Sequence, residues 1–297
     1  VTMADTCVEL LQGPVTGTLR LKAGVTYVVT TDVRVRKGAR LVVEDGVSIL
    51  ILNGLVPTSP IGHAALIFEQ GSSLDAARLY IRACNHLFRP VRKADNGGVW
   101  FFGAYRSAEK DGLDVTAAGP SAASYFSAAL IAVYHLGHGD PAVPSNDPML
   151  DDRDGFSLMG VGPQEWRVGE LRSFHSGDDG LDLTNSQIRL QRLQVVAPAE
   201  DGINLSSSKL EVARSLVVDV SMTHVPDRDI FDFEVDDGPS YVEIARHCHV
   251  DISGVFGDQL HLVSPDMPAA NHAEDVPYRF KGALRQSPAL VYSLNED

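Results

Sequence analysis

Two stretches decide the reading: Asp179-Gly180-Leu181-Asp182-Leu183-Thr184-Asn185-Ser186-Gln187-Ile188-Arg189-Leu190 and Asp201-Gly202-Ile203-Asn204-Leu205-Ser206-Ser207-Ser208-Lys209-Leu210-Glu211-Val212. They align without a gap at an offset of 22 residues. The same Asp-x-apolar-x-apolar phrase occurs at Asp154-Gly155-Phe156-Ser157-Leu158, Asp229-Ile230-Phe231-Asp232-Phe233 and Asp258-Gln259-Leu260-His261-Leu262. Successive copies lie 25, 22, 28 and 29 residues apart. A second alternating phrase follows the first four copies, at Trp166/Val168, Ile188/Leu190, Leu210/Val212 and Val242/Ile244. Alternation at period two is the mark of a strand with one face inward and one outward. A unit this short cannot bury its own apolar face, whereas stacked copies bury a continuous column.

Outward from that core, Val33/Val35, Leu41/Val43 and Val47/Ile49/Ile51 alternate in the same way, with turns at Lys37-Gly38-Ala39 and Glu44-Asp45-Gly46. Another unit runs from Ala65 through Gly71-Ser72-Ser73-Leu74 to Leu79-Tyr80-Ile81. Three polar or Gly/Pro-rich stretches, 84–98, 103–124 and 140–153, break the rhythm and read as loops thrown out from the coils. The expectation is an all-β chain folded as a single right-handed parallel β-helix, a solenoid of roughly eight to ten coils. Residues 1–24 would form an N-terminal cap and first strand, 25–263 the coils, and 264–297 a C-terminal cap over the open end. Leucine-rich repeats share the period but need a Leu-x-x-Leu-x-Leu spacing that is absent, and a β-sandwich would show hairpin turns without in-register repeats.

Residues 125–183 also carry a resemblance. The run Ala129-Leu130-Ile131-Ala132-Val133-Tyr134-His135-Leu136-Gly137-His138-Gly139 precedes Gly155-Phe156-Ser157-Leu158-Met159-Gly160-Val161-Gly162, and then His175-Ser176-Gly177-Asp178-Asp179-Gly180. This order resembles the right-handed parallel β-helix lipoproteins and secreted surface proteins of Gram-negative bacteria. The segment from Val25-Thr26-Tyr27 to Asp45-Gly46-Val47 is similar to their first coils. The resemblance implies a right-handed helix and an exported protein, and it brings no catalytic mechanism. After Asp179-Gly180 the chain departs from the aromatic and paired-glycine pattern of that family. Gly137-His138-Gly139 and Asp178-Asp179 are also similar to motifs of the polygalacturonase-like glycosidases. There, however, the Gly-His-Gly follows the paired aspartates, and here it precedes them by 40 residues, so the match reads as coincidence.

Composition narrows the partners. The 297 residues carry 25 basic against 39 acidic side chains, a net charge of −14, with 44% hydrophobic residues. That acidity excludes nucleic acid and anionic membranes as natural partners and weighs against an uncompensated polyanionic substrate. No apolar run reaches the roughly 18 residues of a transmembrane helix. No signal peptide is visible ahead of Val1, and Cys7, Cys84 and Cys248 are too few for a disulfide framework. No cofactor is expected, Ca²⁺ being the one ion that stacked carboxylates suggest.

The repeats turn single residues into ladders. Asp154, Asp179, Asp201, Asp229 and Asp258 precede strands, where their carboxylates suit turn amides. Ser157, Asp182, Asn204, Asp232 and His261 alternate with inward residues and would line an outer groove. Asp182 and Asp232, two coils or about 10 Å apart, approach the carboxyl spacing of an inverting glycosidase, with Asn204 and His261 as substrate contacts. Arg192 and Arg214 form a basic stripe with Arg246, suited either to substrate binding or, beside Glu170, Glu211 and Glu243, to surface ion pairs. His135, His138 and His175 fall on loop-bearing coils. His247 and His249 share one strand face, a metal site only if further ligands join them.

The leading expectation is therefore an exported β-helix that binds or cleaves a polysaccharide or cell-surface glycan along an outer strand face, as an inverting glycoside hydrolase if catalytic. The alternative is a non-catalytic, adhesin-like surface rod in which every ladder is structural. Whether the chain is an enzyme, and its oligomeric state, stay open at this level.

Overall fold

The structure, a computed structural model, describes residues 7–107, 121–139, 153–220, 228–255, 260–268, 277–286 and 289–293. Among them are 22 strands and no helix. Two sheets account for all of the strands. The backbone of the larger sheet is the parallel series Cys7–Leu10, Val25–Val29, Val47–Leu52, Ser73–Cys84, Tyr125–Tyr134, Trp166–Phe174, Gln187–Val196, Lys209–Asp219 and Ser240–Ile244. The smaller sheet is parallel throughout: Asp32–Val35, Ala65–Phe68, Val99–Phe102, Phe156–Met159, Leu181–Thr184, Ile203–Ser206 and Phe231–Glu234. From Tyr125 to Ile244 the chain alternates between the two, one strand in each per repeat. The pairing Leu181↔Ile203, Asp182↔Asn204 reproduces the sequence offset as register.

The inward set is the alternating apolar set. In Gln187–Val196, Ile188, Leu190, Leu193 and Val195 are buried while Arg189 and Arg192 are exposed. The in–out phase slips between Leu190 and Leu193, where the register against Lys209–Asp219 also shifts. Aromatic rings knit the two sheets. Phe68 stacks on Phe101 at 4.7 Å within the smaller sheet, and Phe101 meets Phe126 and Trp166 of the larger sheet at 4.9 and 5.4 Å. All are buried, each contributing on the order of 2 kcal/mol of apolar transfer free energy.

Two polar columns run up the turns. In the first, the amide of one turn donates to a side chain of the next: Gly71 to Ser124 Oγ at 2.8 Å, Ser124 to Glu165 Oε2 at 2.6 Å, Val161 to Ser186 Oγ at 3.0 Å, Ser186 to Ser208 Oγ at 2.9 Å and Ser208 to Ser240 Oγ at 3.1 Å. Glu165 also accepts from Ala104 and Gly162. The second column is the aspartate ladder, in which the later amide donates back to the earlier side chain. Asp201 N–H donates to Asp179 Oδ1 at 2.9 Å, and Asp229 N–H to Asp201 Oδ1 at 2.5 Å. These aspartates serve the turns as their positions suggest, and Asp258 lies outside the described residues.

The C-terminal end departs from the parallel plan. Ala289–Ser293 pairs antiparallel with Ser240–Ile244, and Pro277–Ala283 pairs antiparallel with His249–Val255. Two of the expected loops fall largely outside the described residues, at 108–120 and 140–152. Of the first, 103–107 and 121–124 are described, and 103–107 runs along the smaller sheet's turns: Arg106 donates to Ser207 O at 3.0 Å, and Ser107 O accepts from Asn185 Nδ2 at 2.8 Å. The remaining loop, 84–98, is ordered by its own turn. Asn85 Oδ1 accepts from Leu87 and Arg89, and Val91 N–H returns to Ala83 O at 3.1 Å.

Candidate functional site

The smaller sheet places Ser157, Asp182, Asn204 and Asp232 directly across from one another on successive strands, on the side away from the core. Towards the start of the chain this same side is apolar, with Ile67, Trp100, Phe102 and Met159 clustered on Ile61. The ladder is not evenly open. Ser157 is fully buried and Asp182 is 4% exposed, while Asn204 and Asp232 are half-buried. Outward orientation thus gives solvent access only from Asn204 onward. Asn204 Oδ1 has no hydrogen-bond partner among the described residues. Thr184 Oγ1 donates to Asp182 Oδ1 at 3.4 Å.

His261 leaves this ladder. Its strand, Leu260–Val263, belongs to the larger sheet, where His261 lies opposite Tyr292 in an antiparallel pair, and the smaller sheet ends at Phe231–Glu234. The Asp-x-apolar phrase at Asp258 copies the strand's alternation but not its place, because the chain has by then turned to antiparallel pairing. The basic stripe is broken too. Arg192 pairs with Glu170 on one side and Ser215 on the other, since a bulge between Leu190 and Arg192 shifts the register by one residue. Arg214 is the residue the bulge displaces, so the two exposed arginines are out of column. Glu211 and Glu243 are paired across strands and bridged by Lys209 at 2.6 and 3.0 Å. His247 sits in a turn at φ 67°, off the strand face of His249.

A second group gathers where the larger sheet turns into the smaller one. Asp178 and Asp179 are buried, and each brings a carboxylate oxygen within 4.8 Å of Glu200. Burial, reinforced by Asp154, pushes both carboxyls far above the usual range, with Asp179 and Glu200 adding to Asp178 and with Asp201 and Glu200 adding to Asp179, so this corner favours the protonated form. Burial likewise raises Asp201 to about 8, with the nearby Asp232 and Asp229 charges adding to it. This corner therefore combines neutral carboxyls with the outward ladder. Three oxygens at that separation are also a hard-cation geometry. Cys84 and Cys248 are buried thiols raised to about 11, too poorly ionised to act as nucleophiles.

The repeated phrase marks Asp179 and Asp201 as turn residues but not the shared corner, which needs Glu200 and Asp178 from outside that phrase. It also passes over a recurring pair. Tyr134-His135 and Phe174-His175 are one phrase on adjacent strands, each an aromatic strand end followed by a histidine at positive φ.

The chain matches no protein-family model, no curated protein and no solved structure.

Proposed function

We propose that the two sheets are faces of one right-handed parallel β-helix, exported from the cell, that binds a polysaccharide along the outward side of the smaller sheet and hydrolyses it with inversion. The alternation of strands between sheets, each paired about one repeat further on, supports the coil reading. Asn204 carries the functional one. It stands between Asp182 and Asp232 with a buried, unpartnered amide oxygen, and such a group is ordinarily satisfied by a donor. A saccharide hydroxyl is the donor that a strip of hydroxyls, amides and carboxylates would recruit. A polymer with one repeating unit suits a surface that repeats along one axis.

In this reading the half-open Asp232 takes a proton from water, and Asp182, two rungs or about 10 Å away, protonates the leaving oxygen. Asp201 keeps a proton beside Asp232 at neutral pH. A reducing-end assay on neutral and acidic polysaccharides tests it. The double variant Asp182→Asn/Asp232→Asn should lose activity by about 10²-fold or more, and full activity in that variant would overturn the assignment. The structural-rod reading draws on a specific observation, that Asp179 and Asp201 accept amides of the next coil and Asp182 is nearly buried. No binding to any glycan, with the fold intact, would decide for the rod.

A further inference from the structure

On the larger sheet a cavity of about 590 Å³ is lined by Arg82, Arg92, Tyr134, His135, Phe174 and His175, closed on one side by Pro90 and Val91. Its volume is that of a small-molecule pocket. Its floor is two stacked columns. Arg82, Tyr134 and Phe174 are in register on adjacent strands, with the Arg82 guanidinium 4.0 Å from the Tyr134 ring and Phe174 stacked at 5.0 Å on the other side. Beside them His135 stacks on His175 at 5.0 Å. Both faces of Tyr134 are covered, so it offers the cavity its edge, the positive part of an aromatic quadrupole.

The opposite wall is built rather than draped. The Asn85 turn folds 85–91 back along the strand end, and Cys84 and Pro90 form an antiparallel bridge. Beyond Arg92, Asn53 Nδ2 holds Lys93 O at 2.8 Å, and the buried Asn96 donates to His135 O at 3.1 Å. No carboxylate lines the cavity, and among the described residues neither Arg82 nor Arg92 has an ion-pair partner. Two guanidiniums and two imidazoles therefore converge in a protein of net charge −14. Their mutual repulsion contributes, after burial, to lowering the His135 pKa.

We propose that this pocket binds the anionic unit of an acidic saccharide, its carboxylate or sulfate held between Arg82, Arg92 and the two histidines, and its ring against Pro90, Val91 and the aromatic edges. Guanidinium forks are suited to such planar or tetrahedral oxyanions. The saccharide part of this assignment rests on the glycan reading above, while the preference for an anion stands on the pocket alone. The two places are close along the chain: His175 and Asp178 are three residues apart, so their Cα atoms lie within about 11 Å. A chain anchored in the pocket would thus lead towards the carboxyl corner.

Calorimetry and histidine-resolved NMR on the intact protein test the idea, using uronate trimers, a sulfated neutral trimer, the neutral trimer itself and inorganic sulfate. An acidic trimer should bind, move the His135 and His175 signals and raise the His135 pKa, and the neutral trimer should not. Arg82→Gln and Arg92→Gln should each weaken binding about tenfold or more. Equal binding of neutral and acidic trimers would overturn the proposal, as would acidic binding indifferent to both arginine variants. Binding of inorganic sulfate with no trimer would overturn the saccharide assignment. Trimer binding in the pocket without cleavage of any polysaccharide would sink only the hydrolase, and cleavage with still histidine signals would sink only the pocket.

Discussion

At the scale of single residues, the turn columns make sharp demands. Ser208 Oγ accepts the Ser186 amide and shares its one proton between Leu183 O and Ser206 O, all in the interior. Ser208→Ala should cost about 1–3 kcal/mol by urea denaturation, since it orphans a buried amide. A change under a few tenths would show that water replaces the hydroxyl. Glu165→Ala should cost more than Ser208→Ala, because one carboxylate serves amides at Ala104, Ser124 and Gly162. Asp201 makes a pH prediction of definite sign. Its folded pKa of about 8 lies above the unfolded 3.8, so the folded chain holds a proton that the unfolded chain releases. The stability it lends is complete below about pH 3.8 and is lost as pH rises towards 8. Asp201→Asn should therefore match the native protein near pH 4 and exceed it near pH 8 by about 1–3 kcal/mol. A variant no more stable than the native protein near pH 8 would refute the buried-proton account.

At the scale of elements, the Asp-Gly that opens three of the repeats, at Gly155, Gly180 and Gly202, has a steric reason. A Cβ on Gly202 would stand 2.6 Å from Val218 Cγ1 and 2.7 Å from Ile230 O, and one on Gly180 would overlap Val195. Gly202→Ala should destabilise by about 1–3 kcal/mol through overpacking, read from thermal denaturation, and a neutral result would mean the turn moves freely. The strands and their pairing were legible because register follows from a repeat offset, as Asp182↔Asn204 illustrates. What stayed hidden were local breaks in that regularity. The bulge that displaces Arg214 and the antiparallel turn that carries off His261 leave no trace in a phrase-by-phrase alignment. Exposure was hidden as well. Alternation gives the direction of Asp182 correctly, but not what covers it. The cavity escaped because its wall, 85–92, is an excursion between repeats, and only folding brings Arg92 over Tyr134 and His135.

At the scale of the whole molecule, charge acts at two ranges. The net −14 repels a polyanion from afar, and the arginine–histidine pocket attracts it on contact. Raising salt from about 20 to about 150 mM shortens the screening length towards 8 Å. Association of an acidic oligosaccharide should then quicken, while its dissociation quickens too as the pocket's own attraction is screened. Stopped-flow rates would read both, and an association rate that falls with salt would mean the pocket's field outreaches that of the whole.

The two turn columns also bear on how the chain can be shortened. The serine column points amides forward, from Ser186 to Ser208 to Ser240, and the aspartate column points them back, from Asp229 to Asp201 to Asp179. Any cut across these repeats strands one amide on each side. Trimming from the C-terminal side uncaps a serine-column donor, and trimming from the N-terminal side uncaps an aspartate-column donor. Neither end of this region can act as a sacrificial margin, and a proteolytic nick there would loosen repeats in both directions from the break.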